Sequence, residues 1–141
     1  MANFTAYYYV VRAFDGTQES PNSNEASATP IDNLAPAAPT ALVAVDRPAD
    51  QGFALDLTWA GSTSSDVTQQ RIYRSTTAGG PYTLVTTMAN NTTTAYTDTG
   101  LANFTTYYYV IRAYDATQES ANSNQASATP VDNLAPAPGR G

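Results

Sequence analysis

Apolar and polar positions alternate over short runs throughout the chain, and no segment shows a sustained helical period. In the run TTYYYVIRAYD, Tyr107, Tyr109, Ile111 and Ala113 point one way, while Tyr108, Val110, Arg112 and Tyr114 point the other. A strand with one core face is expected there, sixth in a series. Leu42 and Ala44 mark the first, an edge strand after a proline-rich entry, and Leu55, Leu57 and Trp59 alternate in the second, within FALDLTWAG. Ile72 and Tyr73 lie in a third, QQRIYRS, closed by the turn Gly79-Gly80-Pro81. Tyr82, Leu84 and Val85 form a fourth, residues 94–97 a short fifth ending at Asp98-Thr99-Gly100, and Ala126 and Ala128 a seventh. Turn residues recur between them at the interval expected of short strands. The pattern predicts an all-β, seven-stranded, two-sheet sandwich. Its buried set is Leu55, Leu57, Trp59, Ile72, Tyr107, Tyr109 and Ile111.

Residues 2–37 return as residues 102–137 with roughly four positions in five unchanged, the mark of a tandem array. The chain thus holds one complete unit plus the C-terminal half-unit of a preceding repeat. Residues 1–30 are expected to be the last two strands of that preceding repeat, 31–38 a Pro-rich linker, 39–130 the complete domain and 131–141 a linker or tail. Met1 stands where Leu101 stands in the repeat, so the chain opens in the middle of a unit. The half-unit's apolar face, with Tyr7, Tyr9, Val11 and Ala13, needs the first five strands of a unit. Two strands alone are marginal in water, which makes this hairpin a candidate for strand complementation between chains.

Composition removes many chemistries. The 141 residues carry a net charge of −6, and acidity disfavours nucleic acid. All six basic residues are arginines: Arg12, Arg47, Arg71, Arg74, Arg112 and Arg140. Lysine, histidine and cysteine are absent, which excludes disulfides, thiolate chemistry, histidine-ligated zinc, Ser-His-Asp triads and lysine Schiff bases. No run is long enough to span a membrane, and there is no signal peptide. Asp46, Asp50, Asp56, Asp66, Asp98, Asp115 and Glu119 are scattered through turns, without the spacing of a calcium loop or a pair placed for glycoside hydrolysis. Turn and surface roles are expected for them, with no catalytic, cofactor or metal residues.

Several segments now carry a resemblance. The entry APAAPTAL, LDLTW in the second strand, RIYRS in the third and AYTDTGL before the sixth occur in order, followed by Tyr107 six residues after Leu101, then YVIRAYD and ES-NSNQASATP. The unit resembles a fibronectin type III domain of the kind strung along bacterial secreted proteins, over nearly all of residues 36–130. The resemblance implies an immunoglobulin-like sandwich and a tyrosine corner at Tyr107, whose ring packs while its hydroxyl ties down the loop. Gln70 departs from it, standing where the family usually has a tyrosine, so local packing should differ there. The family implies an extracellular or cell-surface location and no reaction.

Two functions remain. One is a non-catalytic stalk, spacer or fibre subunit that self-associates or packs against neighbouring repeats. The alternative is a glycan- or protein-binding adhesion module. It would use an exposed stripe of Tyr108, Tyr114 and Tyr73 beside Arg71 and Arg112, or the loop 115–123. That stripe fits cross-strand pairing, lateral packing of arrays or stacking on sugar rings. Asn3, Asn90, Asn91 and Asn103 begin N-x-Ser/Thr triplets, which turn chemistry also explains.

Overall fold

The computed structural model describes residues 1–139, so Arg140 lies outside the described residues. The chain divides into two compact units, Met1–Asn33 and a second from Leu34 onward. In the first, β1 (Tyr7–Tyr9) and β2 (Ala26–Ala28) form an antiparallel two-stranded sheet.

The second unit contains seven strands: β3 (Thr40–Asp46), β4 (Ala54–Ala60), β5 (Gln69–Ser75), β6 (Thr83–Met88), β7 (Ala95–Thr99), β8 (Tyr107–Tyr114) and β9 (Ala126–Ala128). They make a three-stranded sheet ordered β3-β4-β7 and a four-stranded sheet ordered β6-β5-β8-β9, every pairing antiparallel. The alternating apolar faces turn inward: Leu42, Leu55, Leu57, Trp59, Ile72, Leu101, Tyr107, Tyr109 and Ile111 form one buried core. The seven residues expected to be buried are all in that cluster. The Ala102 N–H donates to the Tyr107 hydroxyl at 2.9 Å, so the expected tyrosine corner is present.

Side chains close the corners where sheets stop. Asn124 accepts from the Leu42 N–H and donates to the Leu42 carbonyl, both at 2.9 Å, standing in for a ladder pair beside β3. In β3 a bulge between Thr40 and Val43 places Ala41 at φ 55°.

Three departures from the pattern have physical reasons. The fifth strand runs on through Asp98 and Thr99, where a turn was expected, because Asp98 points inward onto bonded partners. The fourth begins after Tyr82, at Thr83. Val110 faces outward yet is buried. It sits in register with Tyr73 and next but one to Arg112, whose long side chains shield it. At the anomalous Gln70, a fully buried amide accepts from the Trp59 indole N–H at 2.7 Å and donates to the carbonyls of Thr93 and Asn90 at 2.8 and 3.2 Å. Its desolvation is thereby compensated.

Candidate interaction surfaces

The outward face of the four-stranded sheet brings together four of the five residues expected there. Antiparallel register sets Arg71 opposite Arg112, Gln69 opposite Tyr114 and Tyr73 opposite Val110. The Arg71 guanidinium then lies 3.9 Å over the Tyr114 ring, and that of Arg112 lies 4.4 Å over the Tyr73 ring. Tyr108 sits at one end, opposite Ser75, outside these stacks. Each stacked ring therefore has one face covered by a guanidinium.

Glu119, read from sequence only as a turn or surface carboxylate, is the centre of this face. It accepts from Arg71 at 2.6 Å, from Arg112 at 3.0 Å and from the Tyr73 hydroxyl. Burial pushes its pKa up, but hydrogen bonds from Tyr73, Arg71 and Arg112, with the Arg112 charge, outweigh that and hold it at about 2. The Tyr73 hydroxyl is pushed up by burial and by the adjoining carboxylate. Gln69 accepts from Arg71, and Asn122 from Arg112, completing the network. Glu119 reaches this face because residues 115–123 fold back along β8, which proximity in sequence alone does not announce.

The same fold-back changes the picture of loop 115–123 itself. Ser123 Oγ accepts from the Ile111 N–H at 2.8 Å, and Ser120 Oγ from the Ala113 N–H at 2.9 Å. Both serine amides return bonds to the same two residues' carbonyls. Asp115 Oδ1 accepts from the Thr117 hydroxyl and amide and the Gln118 amide; the hydroxyl bond leads in lowering its pKa, against burial. Its other oxygen is buried without a hydrogen-bond partner among the described residues. Asp66, read as scattered, comes within 4.8 Å of the Asp115 carboxylate.

Inside the sandwich, Asp98 accepts from Arg74 and from the Tyr109 hydroxyl, both at 2.7 Å, and burial with this bond raises the Tyr109 pKa. On the other sheet an open groove of about 390 Å³ is lined by Arg47, Asp56, Tyr96 and Thr97 among others. Its polar groups bind one another: Thr97 donates to Asp56 at 2.8 Å, and Arg47 donates to Thr97 at 3.1 Å. The triplet asparagines of this unit are engaged as well. Asn90 caps the Thr92 and Thr93 amides, Asn91 exchanges bonds with Ser62, and Asn103 accepts from the Phe53 N–H.

The half-unit reproduces its twin's hairpin bonds except the Thr106–Thr129 hydroxyl pair, which is lost because Ala6 stands in place of Thr106. Ala2 N–H donates to the Tyr7 hydroxyl, Val11 N–H to Ser23, Ala13 N–H to Ser20, and Arg12 to both Asn22 and Glu19. Its apolar face differs: Tyr9 is 47% and Val11 73% exposed, where Tyr109 and Ile111 are at 0%. Tyr7 is half-buried and Ala13 exposed.

No protein-family model matches the chain. It is 32% identical over 142 residues to exoglucanase B of Cellulomonas fimi, covering 94% of this chain but only 12% of that enzyme. Among solved structures, an Fn3-like protein from Clostridium thermocellum is 42% identical, with a TM-score of 0.58, covering 68% of this chain and 94% of that one. Pectate lyase Pel3 from Pectobacterium carotovorum matches in fold, with a TM-score of 0.52 at 22% identity, over 72% of this chain and 27% of that enzyme.

Proposed function

From the premise that this chain belongs to the fibronectin type III family, we propose that it is a non-catalytic structural repeat of an extracellular array, serving as stalk, spacer or fibre subunit. The observation that carries this reading is the self-satisfaction of the repeated hairpin. Arg112 donates to both Glu119 and Asn122, and their counterparts Arg12, Glu19 and Asn22 keep these two bonds within the hairpin. A sequence repeated for such internal bonds is selected for its number and spacing. That a like segment occurs inside an exoglucanase supports an extracellular multi-module setting.

The alternative is an adhesion module that binds glycan or protein through Tyr108, Tyr114 and Tyr73 or through loop 115–123. It must work against the guanidinium stacks over Tyr73 and Tyr114 and against the serine clamps that hold the loop to β8. Binding of the purified chain to soluble and insoluble glucans, and to other β-linked polysaccharides, separates the two. The spacer reading expects no retention and no hydrolysis. Retention that disappears in Tyr108→Ala and Tyr114→Ala would establish the adhesion module instead.

A further inference from the structure

Two aspartates from separate turns meet at one end of the β5–β8 pair. Register sets Gln69 opposite Tyr114, so the chain entering β5 and the chain leaving β8 run side by side there. Thr68 fastens this crossing, its amide and hydroxyl donating to the Tyr114 carbonyl at 2.9 and 3.2 Å. Asp66 stands two residues before Thr68, and Asp115 directly follows Tyr114. Their carboxylates consequently lie within 4.8 Å of each other.

Asp115 is only 7% exposed, and its two oxygens differ. Oδ1 takes three donors from Thr117 and Gln118, which exhausts its capacity as an acceptor. Oδ2 is enclosed and takes none, so it is the oxygen left to meet a ligand shared with Asp66. A buried carboxylate oxygen without a donor is costly, and a second negative charge beside it adds to that cost. Asp66 brings that charge from an exposed position, and neither aspartate forms an ion pair among the described residues.

We propose that Asp66 and Asp115 are ligands of a calcium ion that clasps the β4–β5 loop to the turn after β8. One ion supplies both the missing partner of Asp115 Oδ2 and the countercharge for the two carboxylates. Calcium–oxygen distances of about 2.3–2.6 Å let two ligands of one ion stand up to about 5 Å apart, so this pair can share an ion without rearrangement. The donors are oxygens, and the chain has no histidine or cysteine to favour zinc or copper. Calcium accepts irregular coordination completed by carbonyls and water, whereas magnesium demands a near-ideal octahedron. Two carboxylates make a weak site, with a Kd of about 10⁻⁴–10⁻³ M, the range of extracellular modules.

Calorimetric titration of the full chain with CaCl2, paired with thermal melts, tests this. Binding should saturate at one ion per chain. With a Kd of about 1 mM, CaCl2 at about 10 mM should raise the folded-to-unfolded ratio about tenfold, and MgCl2 at the same concentration should do much less. Asp66→Asn removes an exposed charge that makes no ion pair, so the calcium-free chain should melt no lower than wild type. Its calcium affinity should nevertheless fall by about tenfold or more, since ligand charge sets the Kd. Asp115→Asn keeps an oxygen for Thr117 and Gln118 but puts an amide nitrogen in place of Oδ2, and should abolish saturation. Glu25→Gln, which removes an equal charge from another exposed position, should leave calcium binding unchanged. Absence of saturable calcium binding, a magnesium response equal to that of calcium, or wild-type affinity in Asp66→Asn overturns the proposal. Such failure leaves the spacer reading standing, because glucan retention tests that reading independently.

Discussion

Glu119 and Gln70 show how single polar side chains stabilise a sandwich that its apolar residues define. A carboxylate held at about pH 2 in the folded state, below its ordinary 4.5, stabilises the fold fully above the ordinary value. That contribution is lost as pH falls through the window from about 4.5 to about 2. Glu119→Gln removes a charge-assisted acceptor from two arginines, so it should cost about 1–3 kcal/mol at pH 7. The gap from wild type should close in urea melts taken toward pH 2, and a pH-independent difference would contradict this account. For Trp59, truncation to alanine should cost about 3–5 kcal/mol through the cavity. Trp59→Phe keeps most of the packing but strands the Gln70 oxygen, for about 1–3 kcal/mol. Paired denaturant titrations of the two variants separate these contributions.

Between β3 and β4 the connection depends on one glycine. Gly52 has φ +89°, and a Cβ there would stand 2.1 Å from Asn103 Oδ1. That oxygen accepts from the Phe53 N–H, and the same amide donates to the Gln51 carbonyl. Asn103 thus ties this loop to the segment before β8, and a methyl at residue 52 would displace the amide that makes those bonds. Gly52→Ala should therefore cost more than about 1 kcal/mol, beyond the ordinary glycine-to-alanine gain. A melting temperature equal to or above wild type would refute the close approach. At the β3 end of the same connection, Asn133 extends the strapping past the last strand. It donates to Asp46 at 2.8 Å and to the Arg47 carbonyl at 3.0 Å, so the junction begins as part of the sandwich.

The core cluster lies entirely between Leu42 and Ile111, with no contribution from the first unit. Removing residues 1–33 should therefore leave a protein with a single cooperative unfolding transition. Calorimetry checks that statement. If the full-length chain associates with itself and the shortened chain associates equally well, the hairpin is not the connector.

Strand positions, their inward faces, the tyrosine corner and the tandem repeat were all legible in the linear order of residues. Alternation is a local property, and the residues that carry it are neighbours in the chain. Exclusion of thiol, imidazole and amine chemistry needed only a count. Partnership was not legible in that way. Arg71 and Glu119 meet across 48 residues because the order β6-β5-β8-β9 lays β5 beside β8 and the loop after β8 doubles back. Asp98 turns inward for the same reason, to meet Arg74 and Tyr109 across the sandwich. Burial shows the division most plainly. Tyr9 and Tyr109 stand in nearly identical local sequences with matching hairpin bonds, yet one is half exposed and the other fully enclosed. Local sequence assigns a side chain to a face, but whether that face leaves water depends on a second layer of strands from elsewhere in the chain.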